Sequence, residues 1–125
     1  MSIPEKLLYT KEHEWVEIIG EEAKIGITDF AQKHLGDIVF VELPKLGAQI
    51  AAGGALGVVE SVKSASDIFS PVAGEVLRVN TGLEDSPEQL NADAFGSWIA
   101  VIKLQGQPDG LLDAAAYKAY CRTEE

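Results

Sequence analysis

Hydrophobic and polar positions along the chain fall into short alternating or apolar runs broken by glycine and proline, the pattern of a β-rich domain. Leu7 to Tyr9 is a short apolar start. Glu14 to Ile19 alternates as a strand, with Trp15, Glu17 and Ile19 set against Val16 and Ile18, and Ala23 to Ile27 returns after a bend at Gly20. Thr28 is placed to cap a short helix: Asp29 sits in its first turn, Phe30, Ala31 and Leu35 supply an apolar face, and Gly36 terminates it. Ile38 to Leu43 is almost continuously apolar, which predicts a strand covered on both faces until Pro44 ends it.

Gly47 and the pair Gly53-Gly54 bracket a short strand from Ala48 to Ile50. Apolar runs at Ala55 to Val59 and Ile68-Phe69 then flank a small polar tip, so residues from about 55 to 70 predict a hairpin. Gly74 to Asn80 is a further strand. Ser86 and Pro87 predict a short helical turn, and Trp98, Ala100, Ile102 and Leu104 mark a final strand. Beyond Gly106, Pro108 and Gly110 a helix over about 110–122 carries a stripe of Leu112, Ala115, Ala116, Ala119 and Tyr120 that must dock on the body. The stretches 36–42 and 74–80 share glycine, acid, two aliphatics, any residue, valine and a polar residue, an echo expected of two strand units related by a pseudo-two-fold axis.

Length and charge narrow this picture. At 125 residues the chain suits one domain, 1–125, with a single core. Twenty acidic against ten basic residues give a formal charge of -10, which argues against nucleic acid and against an anionic membrane surface. A single cysteine, Cys121, allows no internal disulfide and no cysteine metal cluster. No run of apolar residues is long enough to span a bilayer, and the N-terminal residues lack a signal or transit pattern. The expected location is therefore the cytoplasm, or the mitochondrial matrix if a presequence has been removed.

Candidate chemistry concentrates at Lys63, in Glu60-Ser61-Val62-Lys63-Ser64-Ala65-Ser66-Asp67. Its small polar neighbours offer no bulk to bury it, so the side chain is expected to stand free at the hairpin tip. An ordinary lysine is almost wholly protonated at neutral pH and a poor nucleophile, and the nearby Glu60 and Asp67 offer nothing to activate it. Such a lysine suits acylation by another enzyme. His13 and His34 cannot make a three-histidine metal site, and Glu12-His13-Glu14 lacks the spacing of a zinc protease motif. Gly53-Gly54 with Gly57 lacks the lysine and helix of a phosphate loop, and Cys121 has no histidine beside it in sequence.

Several stretches together resemble the glycine cleavage system H protein family: Thr10 to Val16, Gly26 to Gln32, Leu35 to Pro44, Val58 to Asp67, Ser70 to Val76, Ser97 to Ile99 and Leu111 to Ala114. The resemblance runs almost end to end. It implies a mainly β, lipoyl-domain-like barrel-sandwich hybrid with short peripheral helices and a C-terminal helix. It implies lipoate bound covalently to Lys63 through an amide, with Glu60, three residues before it, and Gly74, eleven after it, as the positions read by lipoyl-attaching enzymes.

The implied role is a non-catalytic carrier of the aminomethyl group of glycine. Its implied partners are a pyridoxal-phosphate (PLP) glycine decarboxylase, a tetrahydrofolate-dependent aminomethyltransferase and dihydrolipoyl dehydrogenase. All redox chemistry then belongs to the attached group. Glu14, His34 and Asp67 are candidates to shelter the loaded arm, since the resemblance places the first helix and residues 12–15 beside the hairpin. A lipoylated relative that relays lipoyl groups without glycine turnover would present the same tip. The chain departs from the family at Gly54 and at Ala94-Phe95-Gly96, which concerns loops and leaves the lysine untouched.

Overall fold

The computed structural model describes residues 3–124; Met1, Ser2 and Glu125, the ends of the expected 1–125 domain, lie outside the described residues. Among the described residues nine strands and four helices follow one another as β1 (Leu8–Tyr9), β2 (Glu14–Ile19), β3 (Glu22–Ile27), α1 (Asp29–Leu35), β4 (Ile38–Glu42), β5 (Gln49–Ile50), β6 (Ala55–Ser61), β7 (Ala65–Phe69), β8 (Gly74–Val79), α2 (Gly82–Asp85), α3 (Gln89–Ala92), β9 (Ala100–Leu104) and α4 (Ala114–Glu124). They form two antiparallel sheets, one of six strands ordered β1-β2-β3-β9-β8-β5 and one of three ordered β4-β6-β7. Val16, Ile25, Val76 and Ile102 from the larger sheet meet Ile38, Val41, Val59 and Ile68 from the smaller in one buried cluster. Burying these side chains, each worth about 1.5–3 kcal/mol, holds the sheets face to face.

A second cluster gathers Leu7, Tyr9, Trp15, Phe30, Tyr117 and Cys121 around the C-terminal helix. That helix differs from its sequence expectation of about 110–122. It begins at Ala114, where the Asp113 side chain accepts from the Ala116 N–H at 2.8 Å. Its buried face is Ala114, Tyr117 and Cys121. The stripe is rotated because Tyr117 stacks on Tyr9 with ring centroids 4.6 Å apart, and one aromatic pair of that size outweighs several alanines. Leu112 stays outside the helix, in a two-way backbone pairing with Tyr9 at 2.7 Å each way.

β4 also departs from expectation, being covered on one face only. Its register with β6 jumps from Ile38 opposite Ser61 to Phe40 opposite Glu60, so Val39 forms a β-bulge. The extra residue turns both Val39 and Phe40 outward, 54% and 49% exposed. In β2, Glu14, Trp15 and Val16 are buried in succession because Val16 faces the sandwich and Trp15 the second cluster. Ser86 closes α2 through its N–H to the Gly82 carbonyl, and the helical turn expected there is α3, starting at Gln89. The two echoing stretches supply β4 and β8, which lie in different sheets.

Gly74 opens β8 where the backbone of β9 comes too near for any side chain. A Cβ built there would stand 1.9 Å from the Lys103 carbonyl oxygen and 2.6 Å from Ile102 Cγ2. Gly74→Ala is therefore expected to cost at least about 2 kcal/mol through overpacking. The check is a lowered urea midpoint at unchanged m-value, and a loss under about 0.5 kcal/mol would contradict the contact.

Candidate functional site

The β6–β7 hairpin turns over residues 62–64, and the buried hydroxyl of Ser61 holds that turn. Ser61 Oγ accepts from the backbone N–H groups of Lys63 at 3.1 Å and Ser64 at 3.2 Å, and it donates to the Ser64 carbonyl at 3.2 Å. The Ser61 N–H also donates to the Ser64 carbonyl at 2.8 Å. From outside the hairpin, the Asp37 carbonyl accepts from the Val62 N–H at 3.0 Å and pins the tip to the start of β4. A short hydroxyl side chain that bonds its own backbone two and three residues on is what folds such a tip.

Lys63 is exposed at this apex but does not stand free as expected. Its Nζ donates to the His34 carbonyl at 2.8 Å, at the C-terminal end of α1. The C-terminal end of a helix leaves carbonyls without intrahelical partners and carries partial negative charge, so a cation is drawn there. Gly36 makes room for it. At φ 82° Gly36 closes the helix, and a Cβ on it would come within 3.2 Å of Lys63 Cε. At the other end of α1, Thr28 caps as expected, its Oγ1 accepting from the Ala31 N–H.

The other candidates spread along the hairpin. Glu60 lies in β6, exposed, paired with Phe40 on one side and Ala65 on the other. Asp67 is exposed midway along β7, opposite Val58. Gly74 is in the other sheet, paired with Ile50 and Leu104. His34 meets Lys63 through its backbone, while its ring packs 4.3 Å from Phe30.

Glu14 corrects the expectation of an arm-sheltering carboxylate. It is 3% exposed, with Oε1 accepting from the Thr10 hydroxyl at 2.7 Å and Oε2 facing the Phe69 N–H at 3.4 Å. It is thus a latch at the base of β7, the end of the hairpin away from Lys63. Burial pushes its carboxyl up from 4.5 to about 7, against the two hydrogen bonds that favour its charge.

His13 was not legible as anything but a surface or satisfied histidine. It takes φ 68°, unusual for a residue with a side chain. Its ring stacks on Phe30 at 4.4 Å, shares a hydrogen bond of 2.7 Å with the Tyr117 hydroxyl through Nδ1, and meets Glu124 at 3.0 Å through Nε2. Tyr117 in turn bonds Thr28 Oγ1 at 2.7 Å. No local pattern signals a cluster whose partners lie 104 and 111 residues away. Among the described residues no group of three His, Cys, Asp or Glu side chains could hold a metal ion. None of their helices is long and apolar enough to cross a membrane.

The sequence profile of the Glycine cleavage H-protein family matches residues 7–124. The chain belongs to that family. It is 50% identical to the glycine cleavage system H protein of Thermoanaerobacter sp. (strain X514), over 99% of this chain and 100% of that one. It is 55% identical to that of Alkaliphilus oremlandii (strain OhILAs), over 94% of each. The crystal structure of a glycine cleavage system H protein from Mycobacterium marinum superposes with a TM-score of 0.87 at 35% identity, covering 98% of both chains. The fold is the barrel-sandwich hybrid that the resemblance implied, and the function is that of a lipoyl carrier in the glycine cleavage system. The chain works with that system's other components, and the shared name of the relatives favours this role over lipoyl relay without glycine turnover.

Two substitutions test the geometry. Ser61→Ala removes every hydrogen bond of the Ser61 hydroxyl and is expected to cost about 1–3 kcal/mol, with the Lys63 and Ser64 amides exchanging hydrogen at least about tenfold faster. Unchanged exchange would contradict the role of the hydroxyl. Because Glu14 binds its proton more tightly folded (about 7) than at its ordinary 4.5, the folded state loses stability as pH rises between those values. Glu14→Gln is accordingly expected to gain on the wild type by roughly 3 kcal/mol between pH 4 and pH 8, read from urea midpoints at both.

Proposed function

We propose that Lys63 is the residue to which lipoate is joined, and that the chain is a non-catalytic carrier that presents the attached group to its partners in turn. The observation that carries this reading is the Ser61-locked turn, which exposes Lys63 at an apex and leaves its Nζ held by one backbone carbonyl. That seat fits an acyl-lysine. The amine is accessible, no carboxylate ion pair among the described residues has to be broken to acylate it, and Val62 and Ser64 beside it are small.

In the attachment step Lys63 Nζ loses a proton to the attaching enzyme and forms a C–N bond to the acyl carbon of an activated lipoyl donor, whose leaving group departs. When bound, the dithiolane would supply the redox and group-carrying chemistry that links PLP-dependent glycine decarboxylase, tetrahydrofolate-dependent aminomethyltransferase and dihydrolipoyl dehydrogenase. The chain's own residues do the rest. Ser61 and Asp37 keep the apex rigid, so Lys63 points in one direction and gains effective concentration at each partner. Glu60 supplies an exposed carboxylate near the apex for the attaching enzyme. Gly74 serves that enzyme indirectly, by letting β8 and β9 close under the hairpin. His34 and Asp67 are the exposed candidates left to border an attached arm.

The test is the intact mass of wild type and Lys63→Arg after expression with a lipoylating system. The wild type is expected to gain one lipoyl increment and the variant none; an increment on the variant would overturn the assignment.

A further inference from the structure

The outer face of the three-stranded sheet combines exposed apolar side chains with carboxylates that have no cationic partner. The bulge at Val39 puts two apolar residues outward in succession, and Val62, 68% exposed, adds a third at the apex beside Lys63. Phe40 lies directly opposite Glu60, and the next outward row runs Glu42, Val58, Asp67. Side chains opposite one another across antiparallel strands are about 5 Å apart, so these residues form one continuous patch. Among the described residues none of Glu42, Glu60 and Asp67 forms an ion pair, whereas Glu17, Glu22 and Asp29 elsewhere all do. Water is poor company for the exposed apolar side chains Val39, Phe40 and Val62, and a basic surface is good company for the unpaired carboxylates Glu42, Glu60 and Asp67.

We propose that this patch is the docking surface for the lipoyl-attaching enzyme, which would present an apolar depression for Phe40 and Val62 inside a rim of arginine or lysine. The inference rests on the reading of Lys63 as the attachment point. Among the partners, the attaching enzyme is favoured by reach. It must bring an acyl carbon within bonding distance of Nζ when only the length of one lysine side chain separates that atom from the hairpin, so its surface has to close on the residues around the apex. Partners that act after attachment meet a group standing further out and need this face less. An aromatic ring such as Phe40 is also the sort of residue that anchors a contact when a partner's pocket desolvates it.

The test uses the full-length unlipoylated chain, lipoate, ATP and a purified ATP-dependent lipoylating enzyme, following the mass increment against carrier concentration. Phe40→Ser and Val62→Ser are expected to lower kcat/KM about tenfold each, mainly through KM, and Phe40→Leu to retain most of it. Leu46→Ser, an equally exposed apolar position (66%) outside the patch, is the control and should match wild type. Melting temperatures identify any variant that is misfolded, and the pair at 40 and 62 keeps the result readable from either one. Rates within twofold of wild type for both serine variants overturn the inference. So does a defect confined to aminomethyl transfer after complete lipoylation, which would assign the face to the later partners. A wild-type chain that takes no increment overturns the attachment reading itself.

Discussion

One hydroxyl organises the functional end of the molecule. Ser61 ends β6 pointing into the protein, and from there it ties both the Lys63 and Ser64 amides, so the apex cannot relax into an open loop. A hydrogen bond is worth only about 1 kcal/mol net, but several converging on three residues leave few alternatives for the backbone. The rest of the hairpin is held from three directions: by the Asp37 carbonyl at the apex, by the ladder to β4 along its length, and by Glu14 at its base. A carrier built on a flexible loop would spend binding free energy on ordering it at every encounter, with each of several partners. A tip ordered in advance avoids that cost.

The C-terminal helix is connected to the same apex through α1. Tyr117 on α4 shares hydrogen bonds with His13 and with Thr28, and Thr28 caps the helix whose last turn holds Lys63. This path is continuous in contacts. Docking of α4 fixes the first turn of α1, and seven residues of helix carry that position to the His34 carbonyl. The strained φ of His13 belongs to the same unit: its backbone carbonyl accepts from the Thr28 N–H at 3.0 Å, joining the β1–β2 turn to the helix cap. Backbone strain of that kind persists where surrounding contacts determine it several times over.

Legibility in the sequence followed range. Thr28, Gly36, the β2–β3 turn at Gly20 and the hairpin around Lys63 are local patterns, and each lies where capping and turn chemistry put it. Ser61 is legible in principle as the turn-former, since its hydroxyl acts only on residues two and three ahead, but a serine among serines carries no sign of which hydroxyl turns inward. The bulge at Val39 was not readable. A run of apolar residues looks the same whether both faces are covered or an extra residue turns two of them outward. Glu14 misled for a related reason: a charged residue next to Trp15 reads as surface, and only the Thr10 hydroxyl and the Phe69 N–H make its burial tolerable. The α4 stripe was misphased because sequence weighs five small apolar positions against one tyrosine, while the fold rewards the aromatic stack with Tyr9.

The choice of a carbonyl as the seat for Lys63 follows from what the lysine must become. Had a carboxylate held the ammonium, acylation would abolish the cation and strand the anion, and the ion pair would have opposed the modification from the start. A helix-terminal carbonyl carries only partial charge, and it can still accept, more weakly, from an amide N–H once the ammonium is gone. The His34 oxygen therefore suits Lys63 both before and after acylation. The carboxylates of this acidic chain are kept off Nζ, on the outer face of the sheet and at the base of the hairpin, where they leave the amine free to react.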